Sequence, residues 1–509
     1  MPLLRGIFRC AFSQRSACSL HSFMRTRFAP SPTGWLHVGG LRTALMSYIV
    51  AKQTGGEFLL RIEDTDRKRE IAGAVENILS ALCWAGIAPD EGVVMENGIV
   101  TERGGKGPYK QSKRLPLYKN AAETLLSSGH AYRCFCTSER LEQMRLHQQE
   151  RHQAPKYDGR CRSLEPGEAA RRAANGELHV LRLAVPQNGT IAFTDDIRGE
   201  VEFGWSTVDD QVLLKSDGGP TYHLAHVFDD HHMDIDLVIR GEEWLSSLPK
   251  HLLLFQALGW KPPRFAHVPL LLNADKSKLS KRQGDVAVEE YIAKGYLPEA
   301  MVNFLALLGW NPGTTQELFS LQELMESFSL ERVQKAGAIF DLQKLAWLQG
   351  QWMRRISLPE FAKRVQVETL AKLPEASQDM RFAEKAALIQ ERITFFHEAS
   401  DMLRYFYRVP AVPHALLINP KQNVSAEELP RFLNIIKRTL TEIAEWKAEA
   451  ILGACKVVAT KEGVKLGQLL WPLRVVLTGR EYSPGAVEVA EVLGKEETLR
   501  RLSAIARHS

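Results

Sequence analysis

A histidine set before two glycines, two lysines three residues apart, a pair of arginines in strand-like runs and three clustered cysteines are the groups in this chain whose spacing suits chemistry. The first set follows Pro30-Ser31-Pro32-Thr33-Gly34, a forced turn, since each proline fixes its own φ and turns the residue before it away from helix. Trp35-Leu36-His37-Val38-Gly39-Gly40 comes next. At the start of a helix, His37, Gly39 and Gly40 would offer unsatisfied N–H groups to an anion, and glycines let a phosphate approach the backbone. No Gly-Lys-Ser/Thr follows and the GxGxxG spacing is absent, so this is neither a Walker loop nor a dinucleotide fingerprint. A histidine in a tight turn is the plainer reading. The lysines, Lys278 and Lys281, lie in DKSKLSKR (275–282), directly after the apolar run Val268–Leu272. A solvated basic loop would look the same, but emergence from a strand would set it at a carboxyl edge, where wound sheets bind ligands.

The elements that must carry these groups are legible in the periodicity. Residues 25–29 (RTRFA) read as a strand. Apolar residues at 41, 44, 45, 48 and 49 mark one face of a helix, Gly55-Gly56 ends it, and residues 57–62 (EFLLRI) read as a buried strand. Strand, turn, helix, strand opens a doubly wound α/β domain. Beyond Trp310-Asn311-Pro312 helical stripes replace the strands: Leu321, Leu324, Met325 and Phe328; Leu342, Leu345, Ala346 and Leu348; Phe432, Leu433, Ile436 and Leu440; Leu499, Leu502 and Ile505.

With 509 residues, 45% hydrophobic, 25% charged and a mean hydropathy of -0.20, the composition argues against a disordered tail, a collagen-like rod or a coiled coil. No window approaches the length of an apolar membrane span. Seven cysteines, an odd number, do not suggest a disulfide framework and favour a reducing compartment. The net charge of +5 is unevenly spread: residues 351–509 hold 24 basic against 19 acidic side chains, a footprint that suits either a solvated helical surface or a phosphate-bearing partner. No acidic residue precedes Glu57, and Arg5, Arg9 and Arg15 interrupt the apolar stretches of residues 1–23. That is the composition of an organelle transit peptide rather than a secretory signal.

PSPTGWLHVGGLRTAL resembles the "HIGH" signature of class I aminoacyl-tRNA synthetases, in the form carried by glutamyl-tRNA synthetases, and Arg61-Ile62-Glu63-Asp64-Thr65-Asp66 is similar to that family's next strand end. Lys278-Leu279-Ser280-Lys281-Arg282 resembles its "KMSKS" loop. Residues 216–226 (SDGGPTYHLAH) and 238–244 (VIRGEEW) resemble its amino-acid pocket, and residues 335–341 resemble a further segment, with Ala338 in place of the usual Ser. The resemblance implies a Rossmann-like, doubly wound parallel sheet: residues 24–117 and 221–275 would form the catalytic domain, 118–220 an inserted acceptor-end-binding domain, 276–350 a signature-loop and stem-contact helical domain, and 351–509 an all-α anticodon-binding region.

By the same resemblance Arg27, Phe28, Ala29, Glu63, Tyr222, His226 and Arg240 hold glutamate. His37, Gly39, Gly40, Glu243, Leu270 and Lys281 hold ATP, and His37, Lys278 and Lys281 act on the phosphates with Mg²⁺. The residue types agree: guanidinium forks suit carboxylates, Glu63 suits an ammonium group, and Tyr222 has an apolar face with a polar tip. His226 departs from the Asn common in that family, and a neutral imidazole would still supply one donor. Asp229-Asp230-His231-His232 invites a metal-site reading, but neighbours on a strand point to opposite faces and do not converge on one ion, and the resemblance places a similar acidic-His stretch here as structure. Cys134, Cys136 and Cys161 could hold tetrahedral zinc with Tyr157 as a fourth ligand; Ser163 stands where some relatives carry His, other members lack zinc, and three reduced thiols remain the alternative.

The implied activity is ATP-dependent joining of L-glutamate to tRNA(Glu) through a glutamyl adenylate. A monomer with no membrane association, working in the mitochondrial matrix, is expected, with plastid or cytoplasm as alternatives. Whether tRNA(Gln) is also charged stays open. A glutaminyl-tRNA synthetase, a truncated relative that glutamylates queuosine, and a non-catalytic tRNA-binding protein are the rivals. The helical tail disfavours the first, its size the second, and retention of both signatures the third.

Overall fold

The computed structural model describes residues 23–279 and 286–505. Residues up to 22, where most of the expected transit peptide falls, lie outside the described residues, as do residues 280–285 with Lys281. Two compact units divide the chain: one runs through Lys294 and includes Pro298–Leu342, the other takes Gly295–Leu297 and continues from Gln343.

The first unit is built on a six-stranded sheet. Strand β1 (Arg25–Phe28) leads through the proline turn into helix α1 (Val38–Gln53) and strand β2 (Glu57–Leu60). Helix α2 (Ala74–Trp84) then precedes strands β3 (Glu91–Glu96) and β4 (Ile99–Arg103). α1 begins three residues earlier than its stripe indicates. Met46, Val50 and Ala51 are buried beside the expected face, because the helix is covered on more than one side. Helix α3 (Leu115–Ser127) crosses the boundary expected at 117/118. The insertion follows, with strands β5 (Ala131–Cys134), β6 (Val180–Leu183), β7 (Thr190–Asp195), β8 (Gly199–Gly204) and β9 (Val212–Leu214), and exposed helices α4 (Ser138–Glu150) and α5 (Pro166–Ala174). It forms a three-stranded sheet in the order β5-β6-β9 and a separate β7–β8 hairpin.

The chain re-enters the main sheet through α6 (Tyr222–His232), β10 (Leu237–Gly241), α7 (Leu248–Ala257) and β11 (Arg264–Val268). The order is β11-β10-β1-β2-β3-β4, parallel except for the β3–β4 edge hairpin. This agrees with the expected fold class. The apolar run at 268–272 is not one strand: Pro269 ends β11, and Leu271–Leu272 pairs in parallel with Ala338–Ile339.

The second unit has no strand among its described residues and is a set of packed amphipathic helices. Stripes at 432–440 and 499–505 fall in helices Leu429–Glu442 and Lys495–Ile505, with Phe432, Leu433, Ile436, Leu440 and Leu502 buried. The boundary expected at 350/351 falls inside helix Leu342–Arg355.

Candidate active site

From β1 the chain adds β2 and β3 on one side of the sheet and later β10 and β11 on the other, so the crevice outside the carboxyl ends of β1 and β10 is a topological switch point. Arg27 and Arg240 sit on these neighbouring strands, 4% and 5% exposed. Nε of Arg240 donates to Nε2 of His267 at 3.0 Å, Nη2 meets Nδ1 of His251 at 3.2 Å and Nη1 donates to Oη of Tyr222 at 3.5 Å. All three partners are neutral, and among the described residues Arg240 makes no ion pair. Burial pushes its guanidinium below the usual arginine range. Tyr222 stands against Trp244, with ring centroids 4.1 Å apart, so one flank of the crevice is an aromatic wall.

Arg27, also expected to hold glutamate, has surroundings unlike those of Arg240. Its Nε donates to Oδ1 of Asp230 at 3.0 Å, Nη2 to Oδ2 at 3.4 Å and Nη1 to the carbonyl of Ile239 at 3.4 Å. Three of the five guanidinium N–H groups thus have partners inside the protein, among them a carboxylate that pairs with its charge. Asp230 also receives Nη1 of Arg61 at 2.7 Å and Nδ1 of His226 at 3.1 Å. The neighbouring Asp229 accepts from Nε of Arg114 at 2.7 Å, Gln111 at 2.9 Å and Oη of Tyr118 at 2.9 Å.

These contacts make Asp229 and Asp230 the hub of a buried ionic network. Burial opposes the ionisation of Asp230, but Arg27 and Arg61 outweigh it and hold its carboxyl well below the usual range. The strand argument against a metal at 229–232 rested on the wrong element, since these residues belong to α6. Among the described residues only the cysteines gather closely enough to hold a metal ion.

His226 is 0% exposed, so it does not face a ligand directly. It stacks on Tyr222 with centroids 4.8 Å apart, and its Nδ1 proton goes to Asp230. The donor expected for substrate is therefore engaged, and the ring backs the tyrosine instead. Glu63 gives one oxygen to Nη2 of Arg61 at 3.1 Å; burial raises its carboxyl to about 7 against the pull of Arg61 and Arg27. Phe28 is buried at the end of β1, and Ala29 follows it, half-buried.

At the start of α1, His37 is the N-cap, and its Nδ1 accepts the N–H of Gly39 at 2.9 Å. The ring hydrogen consequently sits on Nε2. A Cβ on Gly39 would lie 3.1 Å from that Nδ1, so the cap itself calls for glycine. The N–H of Val38 donates to the carbonyl of Val286 at 2.8 Å, and that of Val288 to Leu36 at 2.9 Å. The N–H of Gly39, a donor expected for an anion, thus serves the cap, and the Val38 and Val288 bonds tie the chain after the second signature to the first. Lys278 is exposed, its backbone paired with Leu272. Glu243 is exposed, whereas Leu270 donates its N–H to Glu242 at 2.9 Å and its carbonyl accepts from Ala338 at 3.0 Å.

In the insertion, Sγ of Cys134, Cys136 and Cys161 lie within 4.8 Å of one another. Oη of Tyr157 is 3.4 Å from Cys134 Sγ and 3.3 Å from Cys136 Sγ, and Cys136 and Cys161 are 3.5 Å apart. Zn–S bonds of about 2.3 Å in a tetrahedron put ligand atoms slightly under 4 Å apart, so this donor set fits a zinc ion. Ser163 turns its hydroxyl to the carbonyl of Arg160 at 3.2 Å and stands outside the set.

Residues 23–347 match the family model "tRNA synthetases class I (E and Q), catalytic domain", and residues 347–506 match an anticodon-binding domain. The glutamate–tRNA ligase of Chloroherpeton thalassium is 46% identical over 497 residues, covering 94% of this chain and 97% of its own; that of Finegoldia magna is 42% identical over 95% and 99%. The chain belongs to the glutamate–tRNA ligase family of class I tRNA synthetases. A glutamate–tRNA ligase from Elizabethkingia meningosepticum, crystallised with its amino acid, superposes with a TM-score of 0.83 at 35% identity, covering 96% of this chain and 99% of that one.

For a class I synthetase the aminoacylation chemistry has to fit the crevice just described. Of the residues that the signatures single out, Tyr222 and Arg240 meet at this crevice, and His37 caps α1. The signatures did not single out Arg61, His251 and His267, and they read Asp229 and Asp230 as structure without their pairing to the buried arginines. Spacing held a signal for part of this, since Tyr222, His226 and Asp230 recur every four residues, the interval of one helix face.

Proposed function

We propose that this synthetase joins L-glutamate to tRNA(Glu) for organellar translation. The observation that carries glutamate as the amino acid is Arg240, a buried cation with three neutral hydrogen-bond partners and, among the described residues, no ion pair. A ligand carboxylate completes it with charge-assisted hydrogen bonds, whereas an amide leaves the charge uncompensated, which disfavours glutamine strongly. Glu63, when ionised, meets the substrate ammonium, and Tyr222 lies along the carbon chain.

In the first step an α-carboxylate oxygen attacks the α-phosphorus of ATP, and the bond to the bridging oxygen breaks to release pyrophosphate. In the second, a hydroxyl of the terminal ribose of tRNA attacks the adenylate carbonyl; its proton is lost and AMP departs. The N–H at Nε2 of His37 and the ammonium groups of Lys278 and Lys281 stabilise charge that grows on the phosphates, so they favour the transition state over the ground state. Mg²⁺, when bound, neutralises phosphate oxygens. Zinc, held by Cys134, Cys136, Tyr157 and Cys161, would tether β5 to the loop after α4 and take no part in either step. Metal analysis with less than about a tenth of an equivalent of zinc in the purified protein removes that element.

Pyrophosphate exchange and acylation, with glutamate and with glutamine, each with purified tRNA(Glu) and tRNA(Gln), test the assignment. Glutamate-dependent charging of tRNA(Glu) supports it, preference for glutamine marks a glutaminyl enzyme, and no activity marks a tRNA-binding protein. The tRNA(Gln) arm decides whether that tRNA is a second substrate. The acid-free, arginine-bearing residues 1–23 support delivery to the mitochondrial matrix. Import of a reporter fused to them is the test, and a cytosolic reporter would refute it.

A further inference from the structure

Asp195 ends β7, in a hairpin of the insertion, and neither reaction step uses it. Its carboxylate is nonetheless buried and fully partnered. Oδ1 accepts the backbone N–H groups of Ile197 at 3.0 Å, Arg198 at 2.8 Å and His267 at 3.3 Å, and Oδ2 meets Nδ1 of His267 at 2.6 Å. His267 then takes Nε–H of Arg240 on its Nε2. An arginine Nε only donates, so Nε2 of His267 must present its lone pair and the ring hydrogen must be on Nδ1, where Asp195 accepts it. Burial depresses the histidine's affinity for a second proton, which keeps the ring neutral. The same logic on the other side of Arg240 gives His251 its proton on Nε2, 2.9 Å from Nδ1 of His223.

We infer that Asp195 is a positioning residue for the amino-acid substrate: by fixing the tautomer of His267 it aims the guanidinium of Arg240 at the substrate carboxylate. The inference rests on Arg240 being the carboxylate receptor. It links the insertion to the amino-acid pocket through a single imidazole. Docking of the turn does not depend on the carboxylate alone, since Arg198 donates to the carbonyls of His267 at 3.2 Å and Lys335 at 2.6 Å and pairs with Glu242.

Asp195→Asn is the test, being isosteric. Its Oδ1 keeps the backbone N–H groups, so its NH₂ faces Nδ1 of His267. That nitrogen must become an acceptor, the ring hydrogen moves to Nε2, and it opposes Nε–H of Arg240. In tRNA acylation the KM for glutamate should rise about tenfold or more, with a similar fall in the glutamate-over-glutamine ratio of kcat/KM. The KM values for ATP and tRNA should stay within about twofold. An unchanged glutamate KM, or an equal rise in all three, overturns the inference. If the variant melts more than about 5 °C below wild type, His267→Ala, which keeps the turn's caps, must show the same selective rise, and its absence overturns the inference too. Failure of the wild-type protein to activate glutamate would instead remove the reading of Arg240 itself.

Discussion

Arg27 and Arg240 occupy neighbouring strands at the same end of the sheet and are equally buried, yet their surroundings are opposite. Arg27 sits in the Asp229–Asp230 hub, where three guanidinium groups face two aspartates and Glu63. Arg240 is held by two imidazoles and a phenol, groups that fix its direction without cancelling its charge. A buried cation neutralised within the fold supports the scaffold, whereas one that is oriented but unneutralised is available to a ligand anion. The amino-acid type is the same in both places, and only the partners differ.

Exchanging the two fates is the strongest way to break this contrast. Arg240→Lys keeps a charge but loses the planar fork, and kcat/KM for glutamate should fall about 10³-fold or more with little change in melting temperature. A comparable fall in melting temperature would place Arg240 in the scaffold instead. Asp230→Asn should do the reverse. It leaves Arg27 and Arg61 without their shared anion, so unfolding by denaturant should show a loss of about 3–5 kcal/mol at neutral pH. Because Asp230 is held ionised well below the usual range, its contribution is present above the unfolded pKa and disappears as the pH falls below it.

A smaller effect sharpens the boundary between the regions. Glu63 retains its proton to about pH 7 in the folded protein. Its raised value stabilises the fold fully below the unfolded pKa of 4.5, and that contribution is lost as pH rises through about 7. For function the sign is opposite: the KM for glutamate should fall as pH rises through about 7, and Glu63→Gln should flatten this dependence. The smallest effect belongs to the phosphate side. Gly39→Ala crowds the capping nitrogen of His37 and should cost about 1 kcal/mol of stability, read as a small drop in melting temperature.

The sheet, the helix carrying His37 and the helical tail were legible because periodicity and turn residues are local properties. Arg240 was legible through a contiguous motif. The hub was not, because 229–232 were assigned to a strand, and in α6 the i, i+4 pair His226 and Asp230 share a face. Arg27 was legible as a guanidinium fork, but its pairing with Asp230, 203 residues away, was not. The Asp195–His267 contact spans 72 residues between the insertion and β11, a pairing that only the folded chain defines. In both cases the decisive interaction is a distant carboxylate, and spacing along the chain carries no record of it.

The most direct test is a crystal structure of the full chain with bound glutamate. We predict a substrate carboxylate within about 3 Å of the Arg240 guanidinium, with the Arg27–Asp230 pair unbroken. A substrate carboxylate on Arg27, with Asp230 displaced, would contradict the account.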